Sequence, residues 1–287
     1  MELHQLRYFV AAAETGSFTK AASREGVTQP SLSQAILRLE DSLDARLFDR
    51  LGRTIALTAA GHVLLARAQV VLAAVGDAEK AVRGSADGGT LRVGAIPTIA
   101  PYLLPEACRK FLKAHSSYRL ELLEDRTERL LAAVVAGELD VAIMALPVRD
   151  ERLHVETLFT ESLRLAVPSQ HRLAKAKSVR FADLVEEPFL ILDELHCFGD
   201  QVWSLCQQQG GFEPKVVCHG EQIATLLALV AKGLGVTVVP EMAAAADTGP
   251  RAYVSFGSPP PSRTVCAVCH KHRFRPPAVR GFVELLK

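Results

Sequence analysis

The chain has 287 residues, of which 49% are hydrophobic and 23% charged, a composition that excludes a disordered or fibrous protein and fits two globular domains. The formal net charge is +1, and residues 1–58 contain seven basic and seven acidic side chains, so bulk charge indicates neither a nucleic-acid nor a membrane partner. Six cysteines are too few for a disulfide scaffold, and the start of the chain lacks the pattern of a signal peptide. We therefore expect a cytoplasmic protein with no membrane partner.

The N-terminal segment predicts three helices separated by tight turns. Apolar residues recur at helical spacing before Gly16, which is a typical helix stop. Ser17 is a candidate N-cap of the second helix, and Thr28 is a candidate N-cap of the third, which opens with Gln29-Pro30-Ser31. This order of helices and turns is typical of a helix-turn-helix.

The third helix and the segment after it carry residue types that DNA recognition requires. A buried stripe of Leu32, Ile36 and Leu39 leaves a polar set with access to solvent, which consists of Gln29, Ser31, Ser33, Gln34 and Arg38. Such a set near a helix start suits base edges and phosphates in a major groove. Residues 47–58 predict two short strands around a glycine turn, a wing whose Arg50 and Arg53 suit phosphate contacts.

These segments resemble the winged helix-turn-helix of the LysR family of transcriptional regulators. The matching runs are Phe18–Ala22, Val27–Ser33, Leu39–Glu40, Leu47–Arg50 and Leu57–Gly61. The resemblance implies a multi-domain protein, with a winged helix-turn-helix at 1–58, a linker helix and hinge at 59–89, and an α/β two-lobed, periplasmic-binding-protein-like effector domain at 90–287. It also implies that Gln29, Pro30, Ser33 and Arg38 lie in or beside the groove of a dyad operator in double-stranded DNA, with RNA polymerase as a further partner.

The linker helix carries a heptad seam. Apolar or small residues alternate in steps of four and three, at Leu57, Gly61, Leu64, Ala68, Val71, Val75, Ala78 and Val82. The seam predicts pairing with the same helix of a second copy, in a homodimer that can pair again into a tetramer. The alternative is one amphipathic helix that packs on its own domain. Residues 84–89 then predict a flexible hinge.

The C-terminal part alternates strand and helix patterns, which predicts an α/β domain with a mostly parallel sheet. We expect strands at 91–96, 120–123, 141–145, 163–167, 189–192, 216–218, 235–239 and 264–269, and helices at 102–115, 127–136 and 278–286. Lobe I comprises about 90–161 and 264–287, lobe II about 162–263, and a ligand site lies between them. No catalytic signature or cofactor loop is present in the sequence, so neither an enzyme nor a cofactor is predicted.

The run Cys266-Ala267-Val268-Cys269-His270 matches a haem-attachment pattern, and His272 suggests zinc. Haem attachment of this kind needs an exported chain, and zinc needs a second ligand pair at suitable spacing. The alternation of residues favours a buried strand in which cysteine acts as a small hydrophobe. We therefore predict no metal site.

A second cysteine pair lies in the run from His196 to Cys206, which follows a strand and opens a helix. Cys197 is thus near a helix N-terminus, where the macrodipole favours a thiolate. The run resembles the H-C-x-x-D-Q-x-x-x-x-C segment of the peroxide-sensing members of the LysR family. The resemblance implies that Cys197 is the peroxide-reactive thiol and Cys206 the resolving thiol. It further implies peroxide-binding roles for Thr98, Thr127, His196 and Asp200.

Helix geometry limits how the two cysteines can pair. Nine residue steps in one helix separate them by ~13.5 Å along the axis, whereas a disulfide requires Cα atoms within about 7 Å. Oxidation must therefore unwind the helix.

Two further points bear on the sensed molecule. The resemblance implies an arginine near the last strand beside the thiolate, where this sequence has His270-Lys271 and, further on, Arg273. The alternative effector is a small anionic metabolite bound through Thr98 and the helix N-terminus that follows it. A third possibility is a metabolite-binding protein without a DNA-binding function. It applies only if residues 1–58 do not bind DNA.

Overall fold

The computed structural model describes residues 1–51, 54–83, 88–193 and 197–287. The chain divides into two compact units, residues 1–86 with 135–138, and residues 87–134 with 139–287. Each unit is described separately below.

The first unit contains the three predicted helices, α1 (Leu3–Thr15), α2 (Phe18–Glu25) and α3 (Gln29–Leu43). The end of α1, both ends of α2 and the start of α3 are where the sequence placed them. Gly16 and Gly26 end α1 and α2 in the left-handed conformation, at φ 62° and 67°. The Ser17 hydroxyl accepts a hydrogen bond from the Lys20 amide, and the Thr28 hydroxyl accepts one from the Ser31 amide.

The wing follows α3 as an antiparallel pair, β1 (Phe48–Leu51) and β2 (Thr54–Leu57). Glu40 fixes the wing to α3, because its buried carboxylate accepts hydrogen bonds from the backbone amides of Leu47 (2.7 Å) and Phe48 (3.3 Å). No sequence pattern predicted this structural role for the carboxylate. The predicted helix-turn-helix and wing are both confirmed.

Helix α4 (Ala59–Arg83) packs one face on the same unit and leaves another face open. Ala68 is buried, and Leu64, Leu65 and Leu72 pack against the core of the winged helix-turn-helix. At Gly61 a Cβ atom would lie 2.2 Å from the Leu47 carbonyl oxygen, so the absence of a side chain permits this close approach. Half of the predicted seam is therefore intramolecular, which is the alternative that the sequence left open.

The open face of α4 is mostly apolar, with the exposed Arg67 among its valines. Val63, Val70, Val71 and Val82 expose 67%, 40%, 41% and 88% of their surface. Among the described helices, one segment, Ala59–Gly76, is long and apolar enough to cross a membrane by length and composition, although only 11% of it is buried. Exposed valines at this spacing favour a helical partner.

The second unit alternates strands and helices. Its strands are β3 (Gly89–Ala95), β4 (Tyr118–Glu124), β5 (Val141–Ala145), β6 (Leu153–Pro168), β7 (Pro188–Leu192), β8 (Lys215–Gly220), β9 (Thr237–Pro240), β10 (Arg251–Ser255) and β11 (Ser262–His270). Its helices are α5 (Ala100–Ala114), α6 (Thr127–Ala136), α7 (Cys197–Leu205), α8 (Ile223–Ala231), α9 (Glu241–Ala246) and α10 (Pro277–Glu284), with a 3-10 turn at Phe181–Leu184 and a π-helical turn at Cys206–Gly210. The predicted α/β class is confirmed.

The main sheet is mixed, which corrects the expectation of a mostly parallel one. Its strand order is β10-β6-β11-β5-β3-β4, with β9 also paired to β6, and β7 pairs with β8 in a separate sheet. Only β3 pairs in parallel, with β4 and β5, whereas β6 and β11 form antiparallel pairs throughout. The cause is β6, whose 16 residues run from one lobe into the other and meet β11 as it returns.

Each lobe has its own core. Lobe II buries a continuous apolar cluster drawn from residues 163–256. Lobe I buries residues such as Val93, Leu130 and Ile143, and α10 packs Phe282 against Phe111 of α5. The last strand and helix therefore pack with β5 and α5 of lobe I.

Candidate functional site

The exposed surface of α3 is the candidate DNA-binding face. Leu32, Ala35, Ile36 and Leu39 are buried, whereas the predicted contact residues Gln29, Pro30, Ser31, Gln34 and Arg38 are exposed and Ser33 is partly exposed. The Gln29 side-chain amide donates a hydrogen bond of 2.8 Å to the Ser33 hydroxyl, so the two side chains form one polar patch. Arg53 and the side chain of Arg50 lie outside the described residues.

A second candidate site surrounds the start of α7, whose first residue is Cys197. The side chain of Cys197 and all of His196 lie outside the described residues. Cys206 follows α7 as the first residue of the π-helical turn and is fully buried in the lobe II core. Burial raises the pKa of the Cys206 thiol to about 12, which keeps it protonated.

A cavity of about 280 Å³ opens beside the first turns of α7. Its lining includes Thr127 at the start of α6, Phe198, Asp200 and Ser204 of α7, and Arg263 of β11. The structure thus brings together two of the residues that the sequence nominated for effector binding, Thr127 and Asp200. Thr98, a third nominated residue, is buried, and its hydroxyl is hydrogen-bonded to Arg263.

Arg263 corrects the expectation that an arginine at this site would lie near His270, at the far end of β11. The guanidinium lies instead at the beginning of the strand and is 5.3 Å from the ring centre of Phe198, next to Cys197 in sequence. It donates hydrogen bonds to the Thr98 hydroxyl (2.8 Å) and to the Thr98 carbonyl oxygen (2.9 Å). An arginine near the last strand is therefore present at this site.

Arg263 also belongs to a buried ion pair. Its Nε donates to the Glu161 carboxylate at 2.8 Å, and the two side chains are only 1% and 7% exposed. The register of β11 with β6 places these residues directly opposite each other. The other carboxylate oxygen of Glu161 accepts from the Met242 amide in the first turn of α9 (2.9 Å). One network therefore joins the cavity to β6 and α9.

The two cysteines of β11 occupy positions that are typical of structural residues. Cys266 and Cys269 are buried, and burial raises the pKa of each thiol to about 11. Among the described residues, no group of three or more histidine, cysteine or acidic side chains is arranged to hold a metal ion.

A winged helix-turn-helix joined to a two-lobed α/β domain with a polar cavity defines an effector-responsive, DNA-binding regulator. Two family models match the chain: "Bacterial regulatory helix-turn-helix protein, lysR family" over residues 3–62 and "LysR substrate binding domain" over residues 84–287. The chain therefore belongs to the LysR family of transcriptional regulators. Members of this family regulate transcription.

Individual relatives are similar over most of the chain. The "Probable hydrogen peroxide-inducible genes activator" of Mycobacterium leprae (strain TN) is 36% identical, covering 91% of this chain and 85% of that protein. The "DNA-binding transcriptional dual regulator OxyR" of Escherichia coli (strain K12) is 34% identical, covering 92% and 88%. A full-length OxyR variant from Pseudomonas aeruginosa superposes with a TM-score of 0.84 at 31% identity, covering 100% and 94%.

Proposed function

We propose that this protein is a cytoplasmic, operator-binding regulator that senses hydrogen peroxide through Cys197 and Cys206. The proposed domains are those predicted from the sequence. Residues 1–58 bind DNA, residues 59–89 link the two domains, and residues 90–287 sense the effector. The observation that carries the proposal is the cavity, where Thr127, Asp200 and Arg263 meet the first turns of α7, the helix that opens at Cys197. The similarity to a relative named as a probable hydrogen peroxide-inducible genes activator supports the same proposal.

The site suits peroxide chemistry at a thiolate. The N-terminus of α7 is the place where a helix macrodipole favours an anion. Arg263 supplies a fixed positive charge nearby, and Thr127 supplies a hydroxyl. The direct test is a footprint of the full-length protein on its operator. Peroxide is expected to change the footprint and dithiothreitol to restore it, and a peroxide-insensitive footprint would contradict the proposal.

The second candidate effector is a small anionic metabolite, which the volume of the cavity favours. A space of about 280 Å³ exceeds what one peroxide molecule fills, and Arg263 lines it. Thr98 is less suited to bind such a ligand directly than the sequence suggested, because its hydroxyl is buried and bonded to Arg263. A metabolite that changes the footprint while both thiols stay reduced would favour this candidate.

Base recognition is assigned to the polar patch on α3. Changing Gln29 or Ser33 to alanine is expected to cost about 1 to 3 kcal/mol of discrimination between operator and unrelated DNA, because each loses polar contacts to base edges. The measurement is a pair of titrations by fluorescence anisotropy on both DNAs. Ser42→Ala, at the other end of α3, is the matched control and should bind as the wild type does. If all three variants discriminate between the two DNAs as well as the wild type does, α3 does not read the groove.

Dimerisation is assigned to the open face of α4. Val71→Asp is expected to dissociate the dimer at micromolar concentration and to weaken operator binding, because pairing would bury an unpartnered charge. Val71→Thr has the same shape without the charge and serves as the control. Analytical ultracentrifugation measures the outcome. If Val71→Asp sediments as the wild type does and binds the operator equally well, α4 is not the interface.

A further inference from the structure

A second cavity of about 150 Å³ lies in lobe I, and it shares no lining residue with the cavity at α7. Strands β6 and β11 form its floor, where the strand register pairs His154 with Cys269 and Glu156 with Ala267. Directly opposed residues of an antiparallel pair project to the same face. Helix α10 covers this floor with Val279, Arg280, Val283 and Glu284, and Arg275 precedes the helix. The cavity is therefore built from three elements of one lobe.

The ion pairs around this cavity leave two guanidinium groups available to bind an anion. Lys287 contacts both carboxylates, at 2.9 Å from Glu156 and 2.7 Å from Glu284. Within the part of the chain that the structure describes, Arg275 and Arg280 form no ion pair or hydrogen bond. Three cations thus face two carboxylates, and both unpaired guanidinium groups line the cavity. Paired N–H donors of this kind match the geometry of a carboxylate.

Besides the two arginines, the imidazole of His154 and the two carboxylates, part of the lining is apolar. Ala267, Val279 and Val283 line the cavity away from the two arginines, and Cys269 adds a thiol that burial keeps neutral. A cavity of about 150 Å³ is large enough for a molecule the size of benzene. A ligand that satisfies both surfaces has one anionic end and one short apolar end.

We propose that this lobe I cavity binds a small carboxylate with a short apolar body, held through Arg275 and Arg280. The site is independent of the cysteine pair and gives the sensing domain a second ligand input. Butyrate is a suitable probe, and butyramide is its neutral isostere.

The test uses hydrogen exchange by mass spectrometry on the full-length protein. Butyrate is expected to slow amide exchange in peptides covering 267–269 and 279–284, and butyramide is not. Arg275→Gln and Arg280→Gln should each weaken butyrate binding about tenfold or more, because each removes a charge-assisted hydrogen bond. Arg119→Gln changes an exposed arginine of β4 outside the cavity and should bind as the wild type does.

Several results would contradict the proposed site. If butyramide protects the peptides as well as butyrate does, the charge of the ligand is not recognised. If phosphate protects them equally well, the apolar part of the ligand is not recognised. If both glutamine variants bind butyrate as tightly as the wild type does, the two arginines do not hold the ligand. The absence of any protection at about 100 mM butyrate, far above a weak dissociation constant of roughly 1 mM, would remove the site itself.

Discussion

Arg263→Met is expected to destabilise the sensing domain by about 3 to 5 kcal/mol, because it leaves the Glu161 carboxylate buried without its cation. The methionine keeps most of the side-chain length but none of the hydrogen-bond donors. The Thr98 hydroxyl and carbonyl lose their donors in the same step. Trp203, the single tryptophan, packs against the lobe II core and reports the unfolding in urea by its fluorescence.

Two controls separate the buried pair from a general effect of removing an arginine. Arg152→Met removes a comparable ion pair with Asp150, but Arg152 is 64% exposed, so the expected cost is at most about 1 kcal/mol. The double variant Arg263→Met with Glu161→Gln removes both charges and retains an acceptor for the Met242 amide, so much of the stability should return. If Arg263→Met unfolds within about 1 kcal/mol of the wild type, the ion pair is not coupled to stability.

The double variant also separates stability from chemistry. It is expected to fold and yet to react slowly with peroxide, since it lacks the charge proposed to favour the thiolate at the start of α7. Peroxide reactivity equal to that of the wild type would leave Arg263 with a structural role alone.

The helix ends within the DNA-binding unit were predictable because they depend on neighbours in sequence. Ser17 and Thr28 cap helices through amides three residues away, and Gly16 ends a helix through its own backbone conformation. The polar patch on α3 follows from helical periodicity in the same way. Each of these signals lies within one turn of the residue concerned.

The mixed sheet and Arg263 were missed because they depend on pairing between distant segments. Seven of the first eight residues of β6 are partly or fully exposed, and this half lacks the apolar run by which the second half was recognised. Without that strand, nothing in the sequence placed residue 161 opposite residue 263. The arginine was therefore expected at the His270 end of β11. A buried ion pair between residues 102 positions apart leaves no local pattern.

Peroxide is expected to link Cys197 to Cys206, and the link must break the structure between them. The chain is helical from Cys197 to Leu205, so the two Cα atoms are separated by ~13.5 Å along the axis, against the roughly 7 Å that a disulfide allows. Cys206 is also fully buried. The π-helical turn that begins at Cys206 is a rare conformation that often marks functional sites. We expect this turn and α7 to refold on oxidation.

The chemistry proceeds in two steps that single variants separate. The Cys197 thiolate attacks peroxide, forming a sulfenic acid and releasing hydroxide, and the Cys206 thiol then displaces water to form the disulfide. Cys197→Ser should abolish the response, and Cys206→Ser should stop at the sulfenic acid, which a dimedone adduct in peptide mass spectrometry detects. Cys218→Ser, in β8, is the matched control and should form the disulfide normally.

Refolding provides the link from oxidation to regulation. In the wild type, but in neither Cys197→Ser nor Cys206→Ser, peroxide should speed amide exchange from α7 through residue 210, because the disulfide cannot coexist with that helix. The operator footprint should change in the same samples, since a covalent bond then biases a two-state element of the sensing domain. If both thiols stay free after peroxide and the exchange pattern is unchanged, the cysteine pair is not the switch, and the α7 cavity is left to a metabolite.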